Sequence, residues 1–179
     1  MAEWLRSGLQ NRVHRFNSGR GLKKMRNINF ILVLHNIRSR FNVGAIFRTA
    51  DAAGIDKIYL CGITPSPPDE KISKVALGAQ NFIPFENNYS TIKVLKKLKK
   101  LGYQILALEQ NKKSLYYFKY KPKEKVALIL GNEITGLPPK ILKLADKILE
   151  IPMYGKKESL NVAVAAGIVC FEIIKYLKK

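Results

Sequence analysis

Short apolar runs that alternate with helical segments constrain the fold of this chain more than any other feature. Phe30–Leu34 is a continuous apolar run, as expected of a strand that is covered on both faces. Further runs typical of strands occur at 57–62, 81–85, 103–109, 126–130 and 147–151. Strands separated by helices favour an α/β fold with a mostly parallel sheet and helices on both faces.

The helices are predicted from apolar spacing and from residues that begin or end helices. In Asn42–Ala53, the residues Val43, Ile46, Phe47 and Ala50 share one face. Further helices are predicted at Glu70–Leu77, at 91–102 with Gly102 at its end, after Pro139, and from Ser159 onward. The last of these contains a ten-residue run without charge, 162–171, which predicts a buried helix.

Charge and composition indicate the class of partner. A chain of 179 residues with 47% hydrophobic residues is long enough for a globular core. Its net charge of +19 favours a polyanion, either nucleic acid or an anionic membrane surface. No apolar run reaches the roughly 18 residues that a membrane span needs, and the N-terminus has no secretory apolar core. We therefore expect a soluble, cytoplasmic protein that does not insert into membranes.

Cysteine and histidine are too few and too scattered for a metal centre. Cys61 and Cys170 lie far apart, and neither belongs to a C-x-x-C pair. His14 and His35 are the only histidines. The sequence therefore predicts neither a disulfide framework nor a bound metal.

Residues 1–24 differ in character from the rest of the chain. They show no sustained hydrophobic period and carry six basic side chains and one acidic one. One interpretation is a basic arm that binds RNA. Another is that a transfer-RNA gene has been read as protein and that translation begins near Met25, because the first residues reverse-translate into tRNA-like sequence. We therefore separate an irregular basic segment, 1–24, from one domain at 25–179.

Three polar loops follow predicted strands, at 35–44, 131–139 and 152–161. In parallel sheets, ligands bind beyond the carboxyl ends of the strands, so these loops are the candidate site. The chain lacks G-x-G-x-x-G, G-x-x-x-x-G-K-[ST] and G-x-S-x-G patterns. Dinucleotide binding, a phosphate-binding P-loop and a serine-hydrolase elbow are therefore unsupported.

Three of the unusual polar side chains in or near these loops also have a structural interpretation. Arg48 could simply pair with Asp51 one helical turn away. Glu133, bracketed by two glycines, could cap the segment that follows it. Ser159 could be the N-cap of a helix that begins at the next residue, whereas Asn161, in its first turn, has no obvious packing role.

The three loops together resemble the signature motifs of one enzyme family. "NVGAIFRTADAAG", "LILGNEITGLPPKILKLAD" and "IPMYGKKESLNVAVAAGI", in this order, are similar to the three motifs of the SpoU/TrmH family. This family belongs to the SPOUT superfamily of S-adenosylmethionine-dependent RNA methyltransferases. The resemblance covers about 30–175 and implies an α/β trefoil-knot fold, a homodimer, and methylation of a ribose 2′-hydroxyl in tRNA or rRNA.

The resemblance assigns roles to individual residues. It implies a catalytic group made of Arg48, Asn42, Glu133, Ser159 and Asn161. It implies that S-adenosylmethionine contacts Leu130, Gly131, Ile151, Met153 and Leu160. Ala163 departs from the family, in which serine is frequent at that position. The resemblance leaves open whether Arg48 accepts the hydroxyl proton or holds a phosphate, because an arginine is a weak base.

The RNA-binding surface is the least constrained part of the prediction. Arg38 and Arg40, beside the first motif, are the candidates for phosphate contacts. The lysines of 96–100 are usual for a solvated helix face, and the aromatic residues of 115–120 could stack on bases or pack at a sheet edge. We expect Arg48 to need the small neighbours Gly44, Ala45 and Ala52. The rival interpretations are a non-catalytic RNA-binding protein and a base-methylating relative.

Overall fold

The fold was derived from a computed structural model of the chain, which describes residues 29–177. The predicted basic segment 1–24 lies outside the described residues, and so do 25–28. Both the domain boundary at residue 25 and the suggested later start of translation therefore remain predictions.

The described residues form one sheet of seven parallel strands. The strands are β1 Phe30–His35, β2 Lys57–Cys61, β3 Phe85–Asn88, β4 Gln104–Leu108, β5 Leu115–Tyr116, β6 Val126–Leu130 and β7 Lys147–Glu150. They lie in the order β3-β2-β1-β6-β4-β7-β5. Val33 of β1 pairs with Tyr59 of β2 on one side and with Ile129 of β6 on the other. The loops that follow β1 and β6 are therefore neighbours at the carboxyl edge of the sheet.

Helices cover both faces of this sheet. They are α1 Arg40–Ala53, α2 Glu70–Ala76, α3 Thr91–Lys100, α4 Pro139–Leu142 and α5 Val162–Leu177. On one face α1, α2 and α5 contribute Phe47, Ile72 and Val169 to a common apolar core. On the other face α3 and α4 contribute Leu95 and Ile141 to a second core. The predicted α/β fold is thus confirmed, while the trefoil knot stays a prediction.

Three predicted elements begin two or more residues away from the expected position. The first helix begins at Arg40 rather than at Asn42, because Ser39 is its N-cap. The strand expected at 81–85 is instead a 3-10 turn, Ala79–Asn81, followed by a strand that begins at Phe85. Pro84 cannot donate a hydrogen bond to a ladder, and Phe82 is 73% exposed, so this run does not form a buried strand. The long final helix begins at Val162 rather than at Ser159. No helix within 29–177 has the length and apolarity that a bilayer crossing demands.

The aromatic residues of 115–120 lie at the edge of the sheet. Leu115 and Tyr116 form the edge strand β5, paired with β7. Tyr117 packs against the core, and the Phe118 ring lies against it edge-on, with 5.3 Å between the ring centroids. Tyr117 therefore packs at the edge of the sheet, whereas Tyr116 and Phe118 remain 38% and 43% exposed, and stacking of these two rings on bases stays a prediction.

Candidate active site

A cleft of about 240 Å³ opens at the carboxyl ends of β4, β6 and β7. We call it the main cleft, and its walls come from segments 108–110, 130–136, 150–153 and 158–165. The residues predicted to contact a cofactor all line it: Leu130, Gly131, Ile151, Met153 and Leu160. Two of the predicted catalytic residues, Glu133 and Ser159, line it as well. The second and third motifs are therefore brought together in one protomer.

Two glycines allow the loop after β6 to fold into a tight turn. A Cβ added to Gly131 would lie 2.6 Å from the carbonyl carbon of Gly136. Gly136 has a φ of 62°, and a Cβ there would collide with the carboxylate of Glu109. Close approach at one glycine and backbone conformation at the other thus shape the loop that carries Glu133.

Glu133 joins the loop after β6 to the loop after β1. Its carboxylate accepts hydrogen bonds from the backbone N–H groups of Arg38 and Ser39, both at 3.0 Å. It also accepts one from Nδ2 of Asn42 at 3.0 Å. The suggestion that Glu133 caps the segment after it is therefore wrong. It binds the N–H groups at the start of α1, where an anionic side chain is favourable.

These hydrogen bonds change the acidity of Glu133. Partial desolvation raises the pKa of this carboxyl, but the hydrogen bonds from the Arg38 N–H, the Asn42 amide and the Ser39 N–H outweigh that effect. The pKa of Glu133 therefore lies below its usual range. Near neutral pH Glu133 is an ionised carboxylate held by hydrogen bonds from the protein, which does not suit it to act as a general base.

Asn161 connects the third motif to the first. Its Nδ2 donates to Oδ1 of Asn42 at 3.0 Å, and its Oδ1 accepts from the backbone N–H of Ala163 at 2.9 Å. Asn161 is thus the residue that caps α5, and the prediction that Ser159 caps this helix is wrong. Within 29–177 the Ser159 hydroxyl has no hydrogen-bond partner in the protein, so it is available to a ligand at the cleft.

Arg48 does not reach the main cleft of its own protomer. It is exposed on α1, six residues and roughly 9 Å along the helix axis from Asn42, and it does not line the cleft. No carboxylate among the described residues lies within 4 Å of its guanidinium. The alternative pairing of Arg48 with Asp51 is therefore wrong, and the guanidinium is free to bind another group.

Position 44 requires a glycine for a packing reason that was not predicted from the sequence. We expected Gly44, Ala45 and Ala52 to leave space beside Arg48. Instead, α2 crosses α1 at this glycine, where an added Cβ would lie 2.6 Å from the carbonyl oxygen of Ile72. Gly44 is buried and allows the two helices to pack closely, so it does not serve Arg48.

The candidate RNA-binding arginines differ in their surroundings. Arg38 has an exposed side chain, and its backbone N–H is held by Glu133. Arg40 forms an ion pair at 2.8 Å with Asp69, the N-cap residue of α2. Arg38 is thus the freer of the two. On α3 the Lys99–Asp146 pair at 2.9 Å supports the interpretation of an ordinary solvated lysine face.

Carboxylates concentrate in the main cleft although the chain is strongly basic. The glutamates that line it are Glu109, Glu133, Glu150 and Glu158. None of the four forms an ion pair within residues 29–177. Glu109 also holds the loop after β6, since its Oε2 accepts from the Leu137 N–H at 2.7 Å. Glu109, Glu150 and Glu158 were not predicted, because one follows β4, one ends β7 and one lies in the loop before α5, and no sequence pattern connects these positions.

Comparison with known proteins identifies related enzymes. Residues 29–171 match the model of a family described as the SpoU rRNA Methylase family. The tRNA (guanosine(18)-2′-O)-methyltransferase of Aquifex aeolicus is 32% identical over 158 residues, which are 84% of this chain and 74% of the relative. The 23S rRNA (guanosine-2′-O-)-methyltransferase RlmB of Neisseria meningitidis is 32% identical over 142 residues, which are 79% of this chain and 56% of the relative.

Solved structures show the same architecture. An rRNA methyltransferase from Sinorhizobium meliloti with bound AdoMet has a TM-score of 0.78 and 32% identity, over 83% of this chain and 56% of the other. A TrmH/SpoU tRNA-modifying enzyme from A. aeolicus has a TM-score of 0.78 and 30% identity, over 86% of this chain and 77% of the other. The chain thus spans between about half and three quarters of these proteins.

Proposed function

The chain belongs to the SpoU rRNA methylase family, and on this premise we propose that it is an S-adenosylmethionine-dependent RNA methyltransferase. The methyl group is transferred to a ribose 2′-hydroxyl of tRNA or rRNA, as the names of the curated relatives suggest. The observation that carries the proposal is the direct hydrogen-bonded series Glu133–Asn42–Asn161. It joins one residue from each of the three motifs. Glu133 itself lines the main cleft, whereas Asn161 lies between two residues that line it, Leu160 and Val162.

The main cleft fits S-adenosylmethionine in chemistry. Leu130, Ile151, Met153 and Leu160 provide apolar walls for a flat adenine ring. None of the four glutamates of the cleft forms an ion pair within residues 29–177, so their negative charge favours a cationic ligand over a neutral one. S-adenosylmethionine supplies a methyl group on a sulfonium, which is already activated for transfer to an oxygen nucleophile.

The protein's own residues then have to place the hydroxyl and manage its proton. Glu133 is bound by three donors, so its role is to hold Asn42 and the start of α1 in position. The Ser159 hydroxyl, which has no hydrogen-bond partner within residues 29–177, is one group in the cleft that can contact the substrate. Arg48 holds the phosphate beside the target ribose or stabilises the developing alkoxide, both of which suit a guanidinium better than proton abstraction does.

An exposed apolar face on α5 is the feature that favours a homodimer. On α5, Val164 and Phe171 are 52% and 49% exposed, and their spacing of seven residues puts them on one face of the helix. An apolar face of this kind is typical of an interface between subunits. We infer that a second copy covers it and that the partner subunit's Arg48 completes the site, in a cytoplasmic enzyme that acts on RNA.

Nucleoside analysis separates this function from the alternatives. Purified protein is incubated with S-adenosylmethionine and total RNA from a strain that lacks the gene, and the digested RNA is analysed by mass spectrometry. The proposal expects one ribose-methylated nucleoside to appear. A methylated base would instead indicate a base-methylating relative, and binding of RNA without any methyl transfer would indicate a non-catalytic protein.

Replacement of Arg48 tests the assignment of the catalytic group. Because the guanidinium lies outside the main cleft of its own protomer, Arg48→Ala should abolish methyl transfer and leave the affinity for S-adenosylmethionine unchanged in calorimetric titration. Lys100→Ala, which removes an exposed cation from the solvated lysine face of α3, is the matched control and should retain turnover at saturating RNA. Full activity of Arg48→Ala would refute the assignment.

A further inference from the structure

A second cleft lies at the same edge of the sheet and is unlike the main cleft in charge. We call it the second cleft. It has a volume of about 270 Å³ and lies at the carboxyl ends of β2 and β3, where Ser66, Asn87 and Tyr89 contribute to its walls. Within residues 29–177, no carboxylate lines it, whereas four line the main cleft. Carboxylates therefore do not oppose a phosphate group at the second cleft.

The aromatic ring of Tyr89 is exposed to solvent at the second cleft. Tyr89 is 97% exposed, and Ile63, in the loop after β2, is 68% exposed. A fully solvated tyrosine ring contributes little to the stability of the fold, but it offers a face on which a nucleobase can stack. β3 is the edge strand of the sheet, so the ring is accessible from the outer side.

Polar groups at the second cleft can recognise the edge of a base. Nδ2 of Asn87 donates to Oγ of Ser66 at 3.2 Å. Within the described part of the chain, Oδ1 of Asn87 has no donor and the Ser66 hydroxyl has no acceptor. One acceptor and one donor therefore lie beside an exposed ring, which is the combination that binds unstacked bases of single-stranded RNA.

The position of the second cleft suits RNA that is held at the main cleft. Three strand spacings separate β6 from β3, roughly 14 Å, which a short single-stranded segment can span. Lys93, in the first turn of α3, is exposed and has no ion-pair partner within 29–177. It is available for the phosphate next to the base.

From these observations we propose that the second cleft binds a nucleobase of the substrate RNA, a few nucleotides from the methylated ribose. The base stacks on Tyr89, and its edge contacts Asn87 and Ser66. This inference rests on the proposed function for the identity of the RNA as a substrate. The binding itself does not depend on methyl transfer.

Tryptophan fluorescence tests the stacking directly. In Tyr89→Trp, a single-stranded RNA dodecamer of mixed sequence should quench the fluorescence of the new indole, because a base stacks on it. Wild-type protein gives the background from Trp4. Phe82→Trp is the matched control, since Phe82 is also highly exposed but precedes the amino end of β3. Quenching that is absent, or equal in both variants, would overturn the proposal.

A kinetic comparison tests the role in catalysis. Tyr89→Ala should raise KM for RNA about 5- to 100-fold, the range expected when one stacked base is lost. Its affinity for S-adenosylmethionine should be unchanged, and Tyr89→Phe should restore KM. An unchanged KM in Tyr89→Ala contradicts the proposal. If wild-type protein methylates no RNA, the proposed function fails, whereas the fluorescence experiment still decides whether the second cleft binds a base.

Discussion

Single side chains join loops that are far apart in the sequence. Glu133 binds the backbone of Arg38 and Ser39, about 95 residues away along the chain. Asn42 donates a hydrogen bond to Glu133 and accepts one from Asn161. Because these contacts are made by the motif residues themselves, loss of one of them alters both the shape of the site and its chemistry.

The pH dependence of stability follows from Glu133. Glu133→Gln should lower the free energy of unfolding at pH 7 by about 1 kcal/mol, a modest value because the carboxylate is solvent-exposed. The folded-state pKa lies below the ordinary value of 4.5. The stabilisation should therefore be complete above pH 4.5 and should disappear as the pH falls through the lowered pKa.

Urea unfolding at a series of pH values measures this difference. Glu124→Gln, which removes another exposed carboxylate, serves as the control and should show no comparable loss. A difference between wild type and Glu133→Gln that persists unchanged at pH 3 would contradict the role of the charged carboxylate.

Close packing between α1 and α2 explains Gly44, which in the sequence looks like a residue of the functional site. Gly44 lies inside the first motif, yet its contact is with the backbone of α2 at Ile72. The buried residues Ile72 and Ala76 of α2 continue this contact into the core. The absence of a side chain at Gly44 therefore determines how closely α2 approaches the helix that carries Asn42.

Gly44→Ala tests this close approach. The added methyl group would lie 2.6 Å from a backbone oxygen, and a helix backbone cannot move as a flexible side chain does. We expect the free energy of unfolding to fall by about 1–3 kcal/mol, measured by urea denaturation. Gly155→Ala is the matched control, because a Cβ there meets nothing within 4 Å. Equal free energies of unfolding for the two variants would show that α2 can move away from α1, and would contradict the prediction.

The elements were predictable where a periodic apolar pattern decides the structure. Phe30–Leu34 and Val126–Leu130 are buried strands as predicted, because no other element buries such continuous runs. The strand at 85–88 was misplaced because an edge strand does not need an apolar pattern. The cap of α5 was misassigned because serine and asparagine cap helices equally well, and only the structure shows which side chain accepts the hydrogen bond.

The site was predictable in part, and for a physical reason. The motif residues around Glu133 follow strand ends, and a parallel sheet brings strand ends together. The contributions of Glu109 and Tyr89 depend on which loops become neighbours, and this follows from the strand order. Single-residue patterns carry no information about that order.

The chain is strongly basic as a whole, but its main cleft is lined by carboxylates. A net charge of +19 attracts RNA at long range, and binding of this kind weakens steeply with salt. The carboxylates of the main cleft keep a negative environment inside this basic surface. The same protein can therefore bind an anionic polymer on its surface and a cationic small molecule in a pocket.

The association of two protomers is open to a direct test. Phe171→Glu places a charge on the exposed apolar face of α5 and should convert a dimer into a monomer in size-exclusion chromatography with light scattering. Leu101→Glu alters a similarly exposed residue at the end of α3 and should leave the mass unchanged. A wild-type protein that is monomeric at micromolar concentration would contradict the shared site.

The central position of β1 has a consequence for synthesis on the ribosome. Its two neighbouring strands are residues 57–61 and 126–130. The helix α1 packs against α5, which is the last helix to be synthesised. The nascent N-terminal half therefore leaves the exit tunnel with one side of β1 and part of α1 uncovered. Such late, long-range contacts slow folding and prolong exposure of apolar surface. We therefore expect translation products that stop before residue 126 to expose the apolar residues that β6 and α5 cover in the folded domain.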